Sequence, residues 1–124
     1  MPEFIRLNDH RRGDTWPGIL SIGPVTFLLN DSDVSLPENP LASCRMQFRD
    51  KKDVLGYELS TTPEDGQGVI TIVDANSWLI SVPAQALPLD GGTWLWDFEA
   101  KDSAGWTITL YEGKMTVRKD VTHD

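Results

Sequence analysis

TWLWDFEA, residues 93–100, sets Trp94, Trp96, Phe98 and Ala100 at every second position, with Asp97 and Glu99 among the residues between them. Period two is the repeat of a β-strand with one face buried and the other in water. The same beat runs through ASCRMQFR, residues 42–49. There Ala42, Cys44, Met46 and Phe48 are predicted to point inward and Ser43, Arg45, Gln47 and Arg49 outward. WTITLY, residues 106–111, puts Trp106, Ile108 and Leu110 on one face, and KMTVR contributes Met115 and Val117. VITIV, SWLISV (with Trp78, Ile80 and Val82 on one face), LGYELS and FIRL complete the set.

Turn chemistry separates these runs. Asp50-Lys51-Lys52-Asp53, Asp65-Gly66-Gln67-Gly68, Asp74-Ala75-Asn76 and Lys101-Asp102-Ser103-Ala104-Gly105 each carry residues that favour tight turns. Glu112-Gly113 is expected to form a tight turn or a bulge near a sheet edge. The one expected helical turn is Pro83-Ala84-Gln85-Ala86-Leu87, opened by proline at a first helical position and stopped by Pro88. The fold class that follows is all-β: an immunoglobulin-like antiparallel β-sandwich of about seven to nine strands with one short helical turn. PAQALPLDGGTW fits the E–F corner of such domains, with Trp94 standing where a tyrosine hydrogen-bonds back to the corner. An indole N–H can donate that bond but cannot accept one.

The totals bound the function. The 124 residues suit a single sandwich domain over 1–124, with 1–3 and 120–124 as expected flexible tails. Nineteen acidic against eleven basic residues leave a net charge of −8, which repels nucleic acid and anionic membranes. Arg11-Arg12 and Lys51-Lys52 are too short to reverse that, and each reads as a solvated loop. No apolar run approaches the roughly 20 residues of a membrane span, and the N-terminus lacks the apolar core of a signal peptide. The single cysteine, Cys44, cannot form an internal disulfide, which favours a reducing compartment.

Catalytic and metal-binding patterns are not found. His10 and His123 lie near the chain ends, without ligand-pair spacing, and each reads as an exposed loop or tail residue. Asp97 and Glu99 read as a solvated sheet face rather than a hydrolytic pair. Asp31-Ser32-Asp33 hints at calcium ligands but lacks the glycine and distal glutamate of an EF-hand. Neither catalytic residue, cofactor nor metal is assigned. Of the five tryptophans, Trp78, Trp94, Trp96 and Trp106 take inward positions. Trp16, before Pro17-Gly18, is the one expected in an exposed loop, so Trp16, Pro17 and Asp14 form the candidate interface.

Taken in order, Gly13-Asp14-Thr15, RMQFRDKKDVL, PAQAL, Leu-Asp-Gly-Gly-Thr-Trp, Asp102-Ser103-Ala104-Gly105 and Asp120-Val121-Thr122 resemble small immunoglobulin-like structural proteins of tailed-phage and prophage tail modules. They are similar to the N-terminal domain of phage baseplate upper proteins. The resemblance implies a non-enzymatic virion component assembled in the bacterial host cytoplasm. Its implied partners are other tail or baseplate proteins, or further copies of itself. It also makes Arg12-Gly13-Asp14 a turn rather than an adhesion motif. The competing expectations are a carbohydrate-binding module using exposed tryptophan, Trp16 with one further aromatic, and, last, a small hydrolase on a sandwich scaffold.

Overall fold

The computed structural model describes residues 3–12, 14–23, 27–28, 34–35 and 39–118. Six short strands come first: β1 (Glu3–Arg6), β2 (His10–Arg11), β3 (Thr15–Trp16), β4 (Ile19–Ile22), β5 (Phe27–Leu28) and β6 (Val34–Ser35). The long strand β7 (Leu41–Arg49) and β8 (Leu55–Ser60) form a hairpin, followed by β9 (Gly68–Val69), β10 (Thr71–Asp74), β11 (Leu79–Val82) and β12 (Gln85–Ala86). The two longest, β13 (Gly92–Asp102) and β14 (Thr107–Arg118), close the chain. The fold is an all-β sandwich. Its larger sheet runs β1-β14-β13-β7-β8-β9 with β2 alongside β14, and a smaller sheet runs β10-β11-β4. Met46, Phe48, Trp96 and Phe98 from the first meet Ile22, Ile80 and Val82 from the second in one buried cluster.

The alternation holds through the centre of the larger sheet. Trp96 pairs with Phe48 and Phe98 with Met46, so inward residues face inward residues across β13 and β7. The β14 run departs from it. Phe98 pairs with Tyr111 but Glu99 pairs with Thr109, so Leu110 is an extra residue and the phase changes there. Beyond the bulge, Gly113, Met115 and Val117 are the buried set, while Ile108 and Leu110 are only partly buried. The expected turn at Glu112-Gly113 is corrected accordingly: β14 runs straight through it, and strands on both sides cover β14. A second irregularity between Lys101 and Asp102 sets Leu41, rather than Ala42, into the core.

Two other expectations change. VITIV is not one strand. Val69 ends β9 in the larger sheet, Ile70 is buried and donates its N–H to the Ser60 carbonyl at 2.9 Å, and Thr71 opens β10 in the smaller sheet. This crossing of the chain makes a sandwich corner. The expected helical turn over 83–87 is a strand pairing instead, with Gln85 opposite Trp16 and Ala86 opposite Thr15. Tertiary contacts override the local helical propensity, because the Gln85 side chain is held by the neighbouring sheet. Its Nε2 donates to the carbonyls of Val69 and Pro83, both at 2.9 Å, and its Oε1 accepts from the Val69 N–H at 2.8 Å.

The start of the chain lies against the end of it. β1 runs parallel to β14 from Glu3 opposite Tyr111 to Arg6 opposite Lys114, and forms the outer strand of the sheet. Asp31-Ser32-Asp33, His123 and the tails at 1–2 and 119–124 lie outside the described residues.

Candidate functional site

Each tryptophan occupies a defined place. Trp16 is 3% exposed and meets Phe48 edge-on, with ring centroids 6.2 Å apart and planes at 90°. The expectation of an exposed Trp16 is corrected: pairing of β3 with β12 turns the indole into the core, where an aromatic edge contact adds to its burial. Pro17 and Asp14 remain exposed beside it. Trp78 is buried and its Nε1–H donates to the Asn39 carbonyl at 2.9 Å. Trp106 reverses its expectation at 53% exposed. It precedes β14 in a turn organised by Asp102, whose buried carboxylate accepts from the N–H groups of Ala104 (3.0 Å) and Trp106 (2.9 Å).

Not every buried polar group is paired: His10 Nε2, Arg45 Nε, Trp96 Nε1 and Asp97 Oδ1 have no hydrogen-bond partner among the described residues. His10, expected as an exposed loop residue, is instead buried on β2 opposite Val117. Burial lowers its pKa from the ordinary 6.5, with the Asp14 carboxylate acting in the opposite sense. Burial pushes the Cys44 thiol up to about 12, so the thiolate needed for nucleophilic chemistry is suppressed. Asp97 and Glu99 are both partly buried rather than fully solvated; Glu99 pairs with Arg45 at 3.0 Å, and Asp97 Oδ1 is buried without a hydrogen-bond partner among the described residues. No group of three or more His, Cys, Asp or Glu is placed to hold a metal among the described residues. Among the same residues, no helix is long and apolar enough to cross a membrane. Around the Arg-Gly-Asp tripeptide, the Asp14 N–H donates to the Arg11 carbonyl at 3.1 Å, a turn-type contact, while Gly13 lies outside the described residues.

The surface feature that alternation does not explain lies at one end of the larger sheet. Leu55 pairs with Arg49 on one side and Leu95 pairs with Arg49 on the other, giving a row Leu55–Arg49–Leu95 across β8, β7 and β13. It lies on the solvent face, with Leu55 45% and Leu95 44% exposed, and Val54 beside Leu55 is 57% exposed. Arg49 is fixed between them. Its Nη2 donates to Gln47 Oε1 at 2.7 Å and its Nη1 to the Asp53 carbonyl at 3.2 Å. Next to the row, an open groove of about 440 Å³ runs between the 50–52 turn and the 90–94 segment. Leu95 was legible as an outward residue of β13, but nothing in its period marks it as functional. The signal is its apolar character at a position that the alternation assigns to water.

No family model matches the chain, and no curated protein matches it. Among solved structures, the chain is similar to CopC from Methylosinus trichosporium OB3b. The two are 12% identical over 70% of this chain and 74% of that one, with a TM-score of 0.39. A likeness of that degree carries no argument about what this chain does. The expected phage tail or baseplate role is corrected here. Neither the family models nor the curated proteins link the chain to phage tail modules, and the matching solved structure is CopC. The sugar-binding alternative loses Trp16, which lies in the core, and the exposed tryptophan is Trp106 instead.

Proposed function

We propose that this chain is a non-catalytic β-sandwich binding domain that works by protein–protein contact through the solvent face of its larger sheet, at the end bearing the β7–β8 turn. The observation that carries the reading is the row Leu55–Arg49–Leu95 with Val54 beside it. Apolar side chains grouped on a sheet face that is otherwise polar mark contact sites more often than chance exposure does. A guanidinium held among them supplies charge and flat contact area, and arginine is enriched where binding energy concentrates. A non-catalytic role is favoured by how two of the buried ionisable groups are used. Asp102 organises a turn and the Cys44 thiol stays protonated.

Site-specific photo-crosslinking in the producing cell tests the reading. A photoreactive residue in place of Leu95 is expected to trap a protein, and the same residue in place of Glu112 on the same sheet is not. Equal labelling at both positions, or none at Leu95, would remove the proposal.

A further inference from the structure

Resting on that reading, we infer that the partner of this face is a second copy of the same chain, joined through a two-fold contact centred on Leu55 and Leu95. A two-fold contact uses one patch twice, so the patch must complement itself. This one does. Lys51 and Lys52 are exposed at the tip of the β7–β8 turn, on one wall of the groove, with no ion-pair partner among the described residues. Asp90 forms part of the other wall, its carboxylate strongly exposed and 3.5 Å from the Arg12 guanidinium. In the proposed two-fold arrangement the lysine tip of each copy would meet the Asp90 wall of the other.

Charge selects the same place. The chain carries −8, so most faces of two copies repel. Along the groove and the ion pairs beside it, Arg12, Arg49, Lys51 and Lys52 stand against Asp50, Asp53 and Asp90, and Lys114 lies opposite Leu95. This end of the sheet therefore lacks the excess of negative charge that the chain carries as a whole, and the apolar row adds attraction that salt does not screen. Pairing through the β9 edge is disfavoured, because the Gln85 amide already occupies both the N–H and the carbonyl of Val69.

The patch is small beside the roughly 800 Å² per partner of a standard interface, so association is weak and concentration-dependent. Sedimentation velocity from about 10 µM to about 1 mM should show reversible dimerisation. Leu55→Asp with Leu95→Asp should weaken it at least about tenfold without lowering the melting temperature. Lys51→Glu with Lys52→Glu should also weaken it, and adding Asp90→Lys to that pair should restore it, because the contact reforms with its charges exchanged. A monomer throughout the range, a dimer indifferent to the leucine changes, or failure of Asp90→Lys to restore association each overturns the inference. If the protein is monomeric and Leu95 crosslinks to a different polypeptide, self-association falls and the binding-domain reading stands. If Leu95 crosslinks to nothing, both fall.

Discussion

The indole Nε1–H of Trp94 donates to the carbonyl of Asp90, four residues upstream, at 2.8 Å. A tryptophan thereby makes the bond that a tyrosine hydroxyl makes at the corner of immunoglobulin-like sandwiches. Only donation is required, so the indole's inability to accept does not matter. The bond ties the start of β13 to the segment that leads into it, and that segment is one wall of the groove.

Trp94→Phe keeps a ring but deletes this donor. It is expected to cost about 1 kcal/mol, the net value of an ordinary hydrogen bond. Trp96 provides the contrast, because its buried Nε1–H has no partner among the described residues. Trp96→Phe removes an unsatisfied donor along with some volume, so part of its packing loss is offset. Urea unfolding of each single variant is expected to show a lost-bond cost at position 94 that has no counterpart at position 96.

Gly56 lets Trp94 lie down. A Cβ at Gly56 would meet the Trp94 ring directly and approach Leu89 Cδ2 at 3.1 Å. The bulge that pairs Phe48 with Tyr57 but Arg49 with Leu55 places Gly56 there. Gly56→Ala is expected to destabilise by about 1–3 kcal/mol through overpacking against a rigid ring. A neutral result in chemical denaturation would show that the ring moves aside freely.

Much of this fold is legible in the sequence because period two is strict where a strand has one wet face. Met46, Phe48, Trp96 and Phe98 were assignable on that ground alone, and all four are buried. The bulge at Leu110 and the slip before Asp102 were not, since an extra residue leaves composition unchanged and only resets the phase. Trp106 falls outside the core for another reason: it precedes β14, in the turn held by the Asp102 carboxylate. Trp16 failed in the opposite sense. Thr-Trp-Pro-Gly reads as a loop until β12 supplies its partner, and the signals for β12 are those of a helix. The candidate surface was visible only as an anomaly, an apolar Leu95 in a polar phase.

Trp16→Ala is expected to cost roughly 3–5 kcal/mol, as for a buried aromatic truncated in a core. The molar mass by light scattering should be unchanged under conditions where the variant stays folded. A stable variant with altered association would instead return Trp16 to the interface that its sequence context suggested.

His10 gives the fold a pH dependence of defined sign. Burial lowers its folded-state value below the ordinary 6.5, so the unfolded chain binds the proton more readily. Its contribution is complete above about 6.5 and is lost as pH falls through the lowered folded value. The urea midpoint should therefore decline from neutral pH towards about 5, and His10→Gln should flatten that decline. The Asp14 carboxylate works against the shift, so Asp14→Asn should steepen it.

Gln85 acts as a third strand made of one side chain. Its amide donates to the Val69 carbonyl and accepts from the Val69 N–H, the pair of bonds a neighbouring strand would supply. Without it, the end of β9 would offer an open N–H and carbonyl beside the exposed Val69 side chain, the combination through which sheets join edge to edge. Gln85→Glu keeps the shape but cannot donate, and it sets a carboxylate against the carbonyls of Val69 and Pro83. It is expected to cost about 1 kcal/mol in the folded monomer. Gln85→Ala leaves both backbone groups open and adds no charge to keep copies apart, so it should aggregate more on mild heating than Gln85→Glu. Light scattering during a thermal ramp distinguishes them. If Gln85→Ala aggregates no more than the parent chain, β9 is protected by something other than this amide.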